Sequence, residues 1–234
     1  MYYPYEVYQL TVDDWHGEFE FIPLSELADE SSATYVFNGD SSLADQPDTW
    51  AKAEVEKAIS MDLVPRHMMN RYTEQITRAE FSTLAIRFVE SFSDHTVDEI
   101  LGHLHLQIDE SAFTDTKDEA VLAAYAFGIV NGKGSRTFDP NGAITRQEAA
   151  VMLTNTAKFL QIRSNGAALK FSDADEISQW ARSSVEFIST VSDKDAQLPV
   201  MGSTGDNMFS PAGTYTRQQA YITFKRLFHS DEPH

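Results

Sequence analysis

Apolar-periodic stretches alternate along the chain with polar, turn-rich loops. Apolar residues recur at helical spacing over 48–62, with Trp50, Ala53, Ala58 and Ile59, over 117–130, and over 175–190, with Trp180, Val185 and Ile188. This spacing predicts three first helices. Loops rich in Gly, Asn, Asp and Pro follow, Asn131-Gly132-Lys133-Gly134-Ser135 and Gly202-Ser203-Thr204-Gly205-Asp206-Asn207, whose glycines supply positive φ for turns. Three longer stripes come next: Phe81, Leu84, Ala85, Phe88 and Phe92; Ala149, Met152, Leu153, Thr156 and Leu160; and Ala220, Thr223, Phe224, Leu227 and Phe228. Each obeys the i, i+3, i+4, i+7 rule of a helix with one face in a core. Val7 to Leu24 alternates in places, which predicts one or two strands. Gly102 to Ile108 alternates too, while 93–112 and 161–170 read as connectors.

The three stripes share one opening phrase: Ile76-Thr77-Arg78-Ala79-Glu80, Ile144-Thr145-Arg146-Gln147-Glu148 and Tyr215-Thr216-Arg217-Gln218-Gln219. Thr followed three residues later by Glu or Gln is a capping box, so each phrase starts a helix. Upstream features also recur. Phe138-Asp139-Pro140 and Phe209-Ser210-Pro211 stand seven residues before their Thr, and Gly134 and Gly205 stand four before their Phe. Phe113-Thr114-Asp115 and Phe171-Ser172-Asp173 lie further upstream, and Trp50-Ala51 and Trp180-Ala181 open two of the first helices. The first copy is shortened, with Tyr72 five residues before Thr77 and no Pro.

These are internal repeats, and no single one can bury its stripe alone. The predicted fold is therefore mainly α: three helix-loop-helix repeats around a pseudo-threefold axis, their second helices forming a central three-helix bundle. The expected divisions are an acidic extension over 1–44, a first repeat with connector over 45–112, a second over 113–170 and a third over 171–234.

With 234 residues, 42% hydrophobic and 12% aromatic, the chain can bury a core. Its 36 acids against 18 Lys and Arg give −18, a field that repels phosphates and anionic membranes and excludes non-specific nucleic-acid binding. The charge is uneven: residues 1–48 hold 11 acids and no Lys or Arg, which leaves the remainder near −7. The absence of Cys excludes disulfides, thiolate zinc sites and Cys nucleophiles, and suits an extracytoplasmic Gram-positive protein. The start, MYYPYEVYQLTVDD, lacks the basic and apolar regions of a signal peptide. The longest apolar stretch, Val121 to Val130, is about half of a membrane-spanning helix, so no membrane insertion is expected.

Arg directly after each N-cap is the anomaly. A cation in the first helical turn meets the positive end of the helix dipole and costs a few tenths to about one kcal/mol. Two readings stand side by side. Bare N–H groups plus a guanidinium make a receptor for a carboxylate or phosphate. Alternatively, each Arg pairs with an acidic residue of a neighbouring repeat.

Taken together, these motifs resemble the surface-layer homology (SLH) domain, a family in which three tandem copies are usual. The resemblance covers roughly 45–229, strongest over Phe113 to Leu160 and Phe171 to Phe228. It implies a pseudo-trimer whose grooves bind secondary cell-wall polysaccharide, often with pyruvylated sugars, and so anchor surface proteins non-covalently outside the cell. Carried across, the motif residues are Arg78, Arg146 and Arg217, the aromatics Trp50 and Trp180, the acids Asp115 and Asp173 and the turn glycines Gly134 and Gly205. A pyruvyl carboxylate suits the Arg, and a flat Trp suits sugar C–H faces. The implied protein is a monomeric pseudo-trimer with no cofactor and no catalytic residue.

There are departures from the pattern. The first copy lacks the Gly-rich turn, the second has no Trp in the expected place, with Leu122 or Tyr125 near it, and the third carries Gln219 for the acid. One alternative is therefore a degenerate module that binds a protein and little glycan. The other is a cell-wall glycan hydrolase, since 36 acids create many accidental pairs such as Asp13/Asp14, but no nucleophile elbow, P-loop or His-Glu-x-x-His occurs. Asp193-Lys194-Asp195 and Asp173-Ala174-Asp175 hint at calcium without completing an EF-hand loop. His103-Leu104-His105 reads as a surface face, and Trp15 as core.

Overall fold

The computed structural model describes residues 8–11, 20–23, 46–164 and 166–231. The chain divides into two compact units, Met1–Ala44 and Asp45–His234. In the first, strand β1 (Tyr8–Thr11) pairs antiparallel with β2 (Glu20–Pro23), Leu10 opposite Phe21, as the alternation over Val7 to Leu24 predicted. Trp15 and the Asp13/Asp14 pair lie outside the described residues.

The second unit is mainly helical. The outer helices, α1 (Lys52–Ser60), α4 (Glu119–Ala126) and α6 (Arg182–Thr190), are shorter than the periodic stretches that predicted them. Part of the third stretch is a separate 3₁₀ turn, Ala174–Glu176. The inner helices are α2 (Arg78–Ser93), α5 (Arg146–Phe159) and α7 (Arg217–Phe228). All three begin at the expected Thr, each with both halves of the capping box formed.

One further helix, α3 (Val97–Leu104), occupies the span read as connector and alternating strand. Thr96 and Glu99 make a fourth capping box at its start, which overrides the short alternation from Gly102. His103 consequently sits in the last turn of a helix and His105 in a left-handed cap at φ 53°, not on one face of a strand.

Along the core, α2 packs on both α5 and α7. Aromatic rings join α2 to α7, with Phe81 5.1 Å and Phe88 5.6 Å from Phe224, all fully or almost fully buried. Each such ring removes some 150–250 Å² of surface from water, so these contacts dominate the packing energy. At the helix starts the repeats close into a ring through isolated bridges: Thr77 with Ala143, Thr145 with Thr214, and Gln75 with Thr216. Outer helices do not fold back on their own inner partners. Instead α4 packs on α2, α6 on α5 and α1 on α7, so every outer helix covers the inner helix of the preceding repeat in cyclic order.

Candidate functional site

The ring of bridges places three equivalent junctions at the helix starts, and each is built by two repeats. The first-turn N–H groups do not face solvent. Arg78 N donates to Gly142 O at 2.9 Å, Arg146 N to Gly213 O at 3.0 Å and Arg217 N to Glu74 O at 3.0 Å. The next amides, of Ala79, Gln147 and Gln218, donate to the carbonyls of Pro140, Pro211 and Tyr72. The third are capped by the Thr hydroxyls. The bare N–H receptor of the first of the two readings is thus already filled by the neighbouring repeat, and any anion chemistry falls to the guanidinium groups.

Those groups are almost wholly buried, at 5%, 7% and 3% exposure for Arg78, Arg146 and Arg217. Each reaches into the loop of the following repeat, but the three are not alike. Arg78 Nε donates to Phe138 O at 2.9 Å and Nη2 to Asn131 O at 3.0 Å, with the Phe138 ring 4.6 Å from the guanidinium carbon. Its Nη1 meets Glu148 Oε1 at 3.4 Å, and Lys133 reaches the same oxygen at 3.6 Å. Here the reading in which Arg pairs with an acid of the next repeat holds.

At the third junction Arg217 pairs with Glu80, which Arg71 also approaches at 3.7 Å. Its Nη1 contacts Asn70 O at 3.4 Å, because Asn70 stands where the other copies have Phe138 and Phe209. The shortened loop leaves Arg217 Nε buried with no partner among the described residues, a cost of about 1–3 kcal/mol. Tyr72 replaces the missing Pro, offering its carbonyl in the same role.

The middle junction differs in one respect. Arg146 Nε donates to Phe209 O at 2.7 Å and Nη2 to Gly202 O at 2.9 Å, while the rings of Phe209 and Tyr215 lie 5.0 and 5.7 Å away. Gln219 stands where Glu80 and Glu148 stand in the other copies, so among the described residues Arg146 has no ion pair. Burial lowers the Arg146 pKa, against opposing electrostatic contributions from Tyr215 and Asp173. Among the described residues, nothing hydrogen-bonds its Nη1.

Trp50 and Trp180 are exposed, at 61% and 57%, although the alanines following them are fully buried. They flank two of the junctions. Asp48 exchanges two hydrogen bonds with Gln218, next to Arg217, and holds Trp50 Nε1 at 3.1 Å. Correspondingly, Ser178 N donates to Gln147 Oε1, next to Arg146, at 3.0 Å. The junction of Arg78 has no such Trp.

Asp115 and Asp173 hold the turns. Asp115 accepts from the amides of Phe138 and Asp139, and Asp173 from those of Phe209 and Ser210 at 2.7 Å each. These amide donations hold the Asp115 carboxyl below its usual range. Gly134 and Gly205 adopt φ of 106° and 135°, opening matched left-handed runs through Arg136 and Asn207. Glu80 and Glu148 carry a second function that sequence reading assigned only to capping. Their role as arginine partners was signalled by their being the acids fixed at the helix starts.

Neither glutamate suits acid catalysis. Burial pushes the Glu148 pKa up, but the Thr145 amide and hydroxyl, Lys133 and Arg78 together hold it below the usual value. For Glu80, burial is likewise overridden by Arg217 and the Thr77 amide. A glycosidase acid needs a raised pKa. Away from the junctions, Asp193, Asp195 and His229 bring ligand atoms within 4.8 Å of one another. Lys225 Nζ already sits 2.6 Å from Asp193 Oδ2, and the Asp195 and Ala196 amides take Oδ1, so this cluster is an internal charge network.

Residues 112–150, from the loop before α4 to the first turn of α5, match the S-layer homology domain. The chain is 30% identical over 156 residues to an endoglucanase of Bacillus sp. (strain KSM-635), spanning 63% of this chain and 14% of that protein. It is 23% identical over 184 residues to the surface-layer 125 kDa protein of Lysinibacillus sphaericus, spanning 76% of this chain and 14% of the relative. Exoglucanase XynX of Acetivibrio thermocellus is 30% identical over 119 residues, half of this chain and 11% of that enzyme. The chain thus spans about a seventh or less of each of these relatives. No described helix is long and apolar enough to cross a membrane.

Proposed function

We propose that this chain anchors a surface protein non-covalently to the bacterial cell wall by binding an anionic secondary cell-wall polysaccharide at the junctions between repeats. The S-layer homology match and the likeness to a surface-layer protein support the anchoring role. The observation that carries the ligand class is Arg146, a 93%-buried cation paired with carbonyls and ring faces but with no carboxylate. A buried charge of this kind is completed by a bound anion. A carboxylated sugar is the ligand we assign to this junction, with Trp180 stacking on its C–H face.

This reading ranks the three junctions. The guanidinium groups of Arg78 and Arg217 already have Glu148 and Glu80 as partners, so the junction of Arg146 leads binding. The enzymatic names of two relatives belong to proteins of which this region is about a ninth to a seventh, and catalysis is not carried across.

The test is a pull-down with purified Gram-positive sacculi, with and without extraction of their secondary polymers. Retention should vanish on extraction and fall about tenfold or more in Arg146→Ala, with smaller losses in Arg78→Ala and Arg217→Ala. Retention that survives extraction would overturn the reading and favour the protein-binding alternative.

A further inference from the structure

At the far end of α2 from the ring, a groove of about 950 Å³ opens between α2, α3 and α4. It shares no lining residue with the junctions, and only its α4 side, from Lys117 to Ala123, falls within the segment that matches the family. Its floor is apolar, from Ile86, Val97, Ile108, Leu122 and Ala123, with half-buried Ala120 beside them. The rim is acidic: Glu90, Asp98, Glu110 and Glu119. Lys117 is the one cation of the lining, and its ammonium is bound to the Glu110 and Phe113 carbonyls. Glu90 is held by the Val97 amide at 3.2 Å. Among the described residues, the carboxylates of Asp98, Glu110 and Glu119 have no hydrogen-bond or ion-pair partner.

An apolar trough edged by free carboxylates selects its occupant by charge. A second copy of a chain of net charge −18 would be repelled. We infer that the α2–α3–α4 groove docks a cationic amphipathic segment of a partner protein, its apolar face on Ile86, Ile108 and Leu122 and its Lys or Arg side chains over Asp98, Glu110 and Glu119. The helix-in-groove mode fits this geometry, with apolar anchors in the trough and charged pairs on the rim. The rim pairs set orientation and association rate, and the buried anchors set residence time.

The experiment titrates the full chain into a labelled synthetic Leu/Lys amphipathic peptide at low salt, read by fluorescence anisotropy. Binding is expected to weaken about tenfold in the triple variant Asp98→Asn, Glu110→Gln, Glu119→Gln. Ala120→Trp, which fills the trough, should weaken it as much. The triple variant Asp175→Asn, Glu176→Gln, Glu186→Gln removes the same charge at exposed residues that do not line the groove and should leave affinity within about twofold. The triple groove variant alters only exposed side chains, so it tests the rim even where Ala120→Trp unfolds the protein. Equal loss in both triple variants, no loss in either groove variant, or equal binding of a Leu/Glu peptide would overturn the inference. Self-association of the unliganded chain, abolished by Ala120→Trp, would overturn it in favour of a homodimer.

Discussion

At the residue scale, Gln219 explains why three copies of one motif are not chemically equal. Glu80 and Glu148 each use one oxygen to close a capping box and the other to pair with an Arg of the preceding repeat. Gln219 keeps the cap, its Oε1 accepting from Thr216 N at 3.0 Å, and leaves Arg146 without a counter-charge. Gln219→Glu should therefore restore the pair, adding about 1 kcal/mol and raising Tm by about 2–4 °C. The same variant should lose sacculus retention, since the new carboxylate competes with the ligand for the guanidinium. Calorimetry and the pull-down on one preparation check both halves, and a variant that gains stability while keeping full retention would remove Arg146 from the binding mechanism.

The glutamates also fix a pH response. Both Glu80 and Glu148 have folded-state pKa values below the ordinary 4.5, so the folded state binds these protons less readily than the unfolded chain. Their stabilisation is complete above the unfolded value and is lost as pH falls through the folded one. Urea midpoints should consequently drop on acidification below about pH 4.5, and Glu148→Gln should flatten that slope while costing stability at neutral pH. A midpoint that rises on acidification, or a slope unchanged by the substitution, would contradict the pairing.

At the element scale, the Gly-rich turn is held by an acid from upstream. Asp173 is 7% exposed and receives two 2.7 Å amide donations, so Asp173→Ala should cost about 2–3 kcal/mol and slacken the loop that presents Gly202 O and Phe209 O to Arg146. Gly205 stands at φ 135° with nothing within 4 Å of an added Cβ, so the cost of Gly205→Ala is purely conformational, about 1–2 kcal/mol. Chemical denaturation of both variants separates a lost hydrogen-bond staple from a strained turn.

Elements of this kind were legible because their signals are local. Thr followed three residues later by Glu or Gln marked α2, α5 and α7 correctly, and the same pattern at Thr96 and Glu99 was available for α3 but was masked by alternation from Gly102. What stayed illegible was pairing over distance. Nothing near Arg78 in sequence names Glu148, 70 residues on, as its partner. No periodicity says that an outer helix covers the preceding repeat's inner helix in place of its own.

That cyclic exchange governs the molecule as a whole. Because α1 packs on α7, the first repeat closes the ring onto the third, and a charged cluster sits at the closure. Arg226 binds Glu54 through two nitrogens at 2.8 and 2.5 Å, and Lys225 lies between Glu54 at 3.8 Å and fully buried Asp193 at 2.6 Å. Burial pushes the Asp193 carboxyl up, but Lys225 and the Ala196 and Asp195 amides hold it low, so it stays charged and needs its cation. A ring and a linear array of repeats respond differently when one end is cut loose. In an array each repeat leans only on its neighbours, so damage at α1 would leave α7 intact. In the closed ring, Glu54→Ala strips a partner from two α7 cations, an expected loss of about 2–3 kcal/mol in global stability. Amide exchange should then quicken in α7 as much as in α1, and urea unfolding should remain a single transition. Faster exchange confined to α1 would show that the repeats are strung in line and that the closure seen between α1 and α7 contributes little.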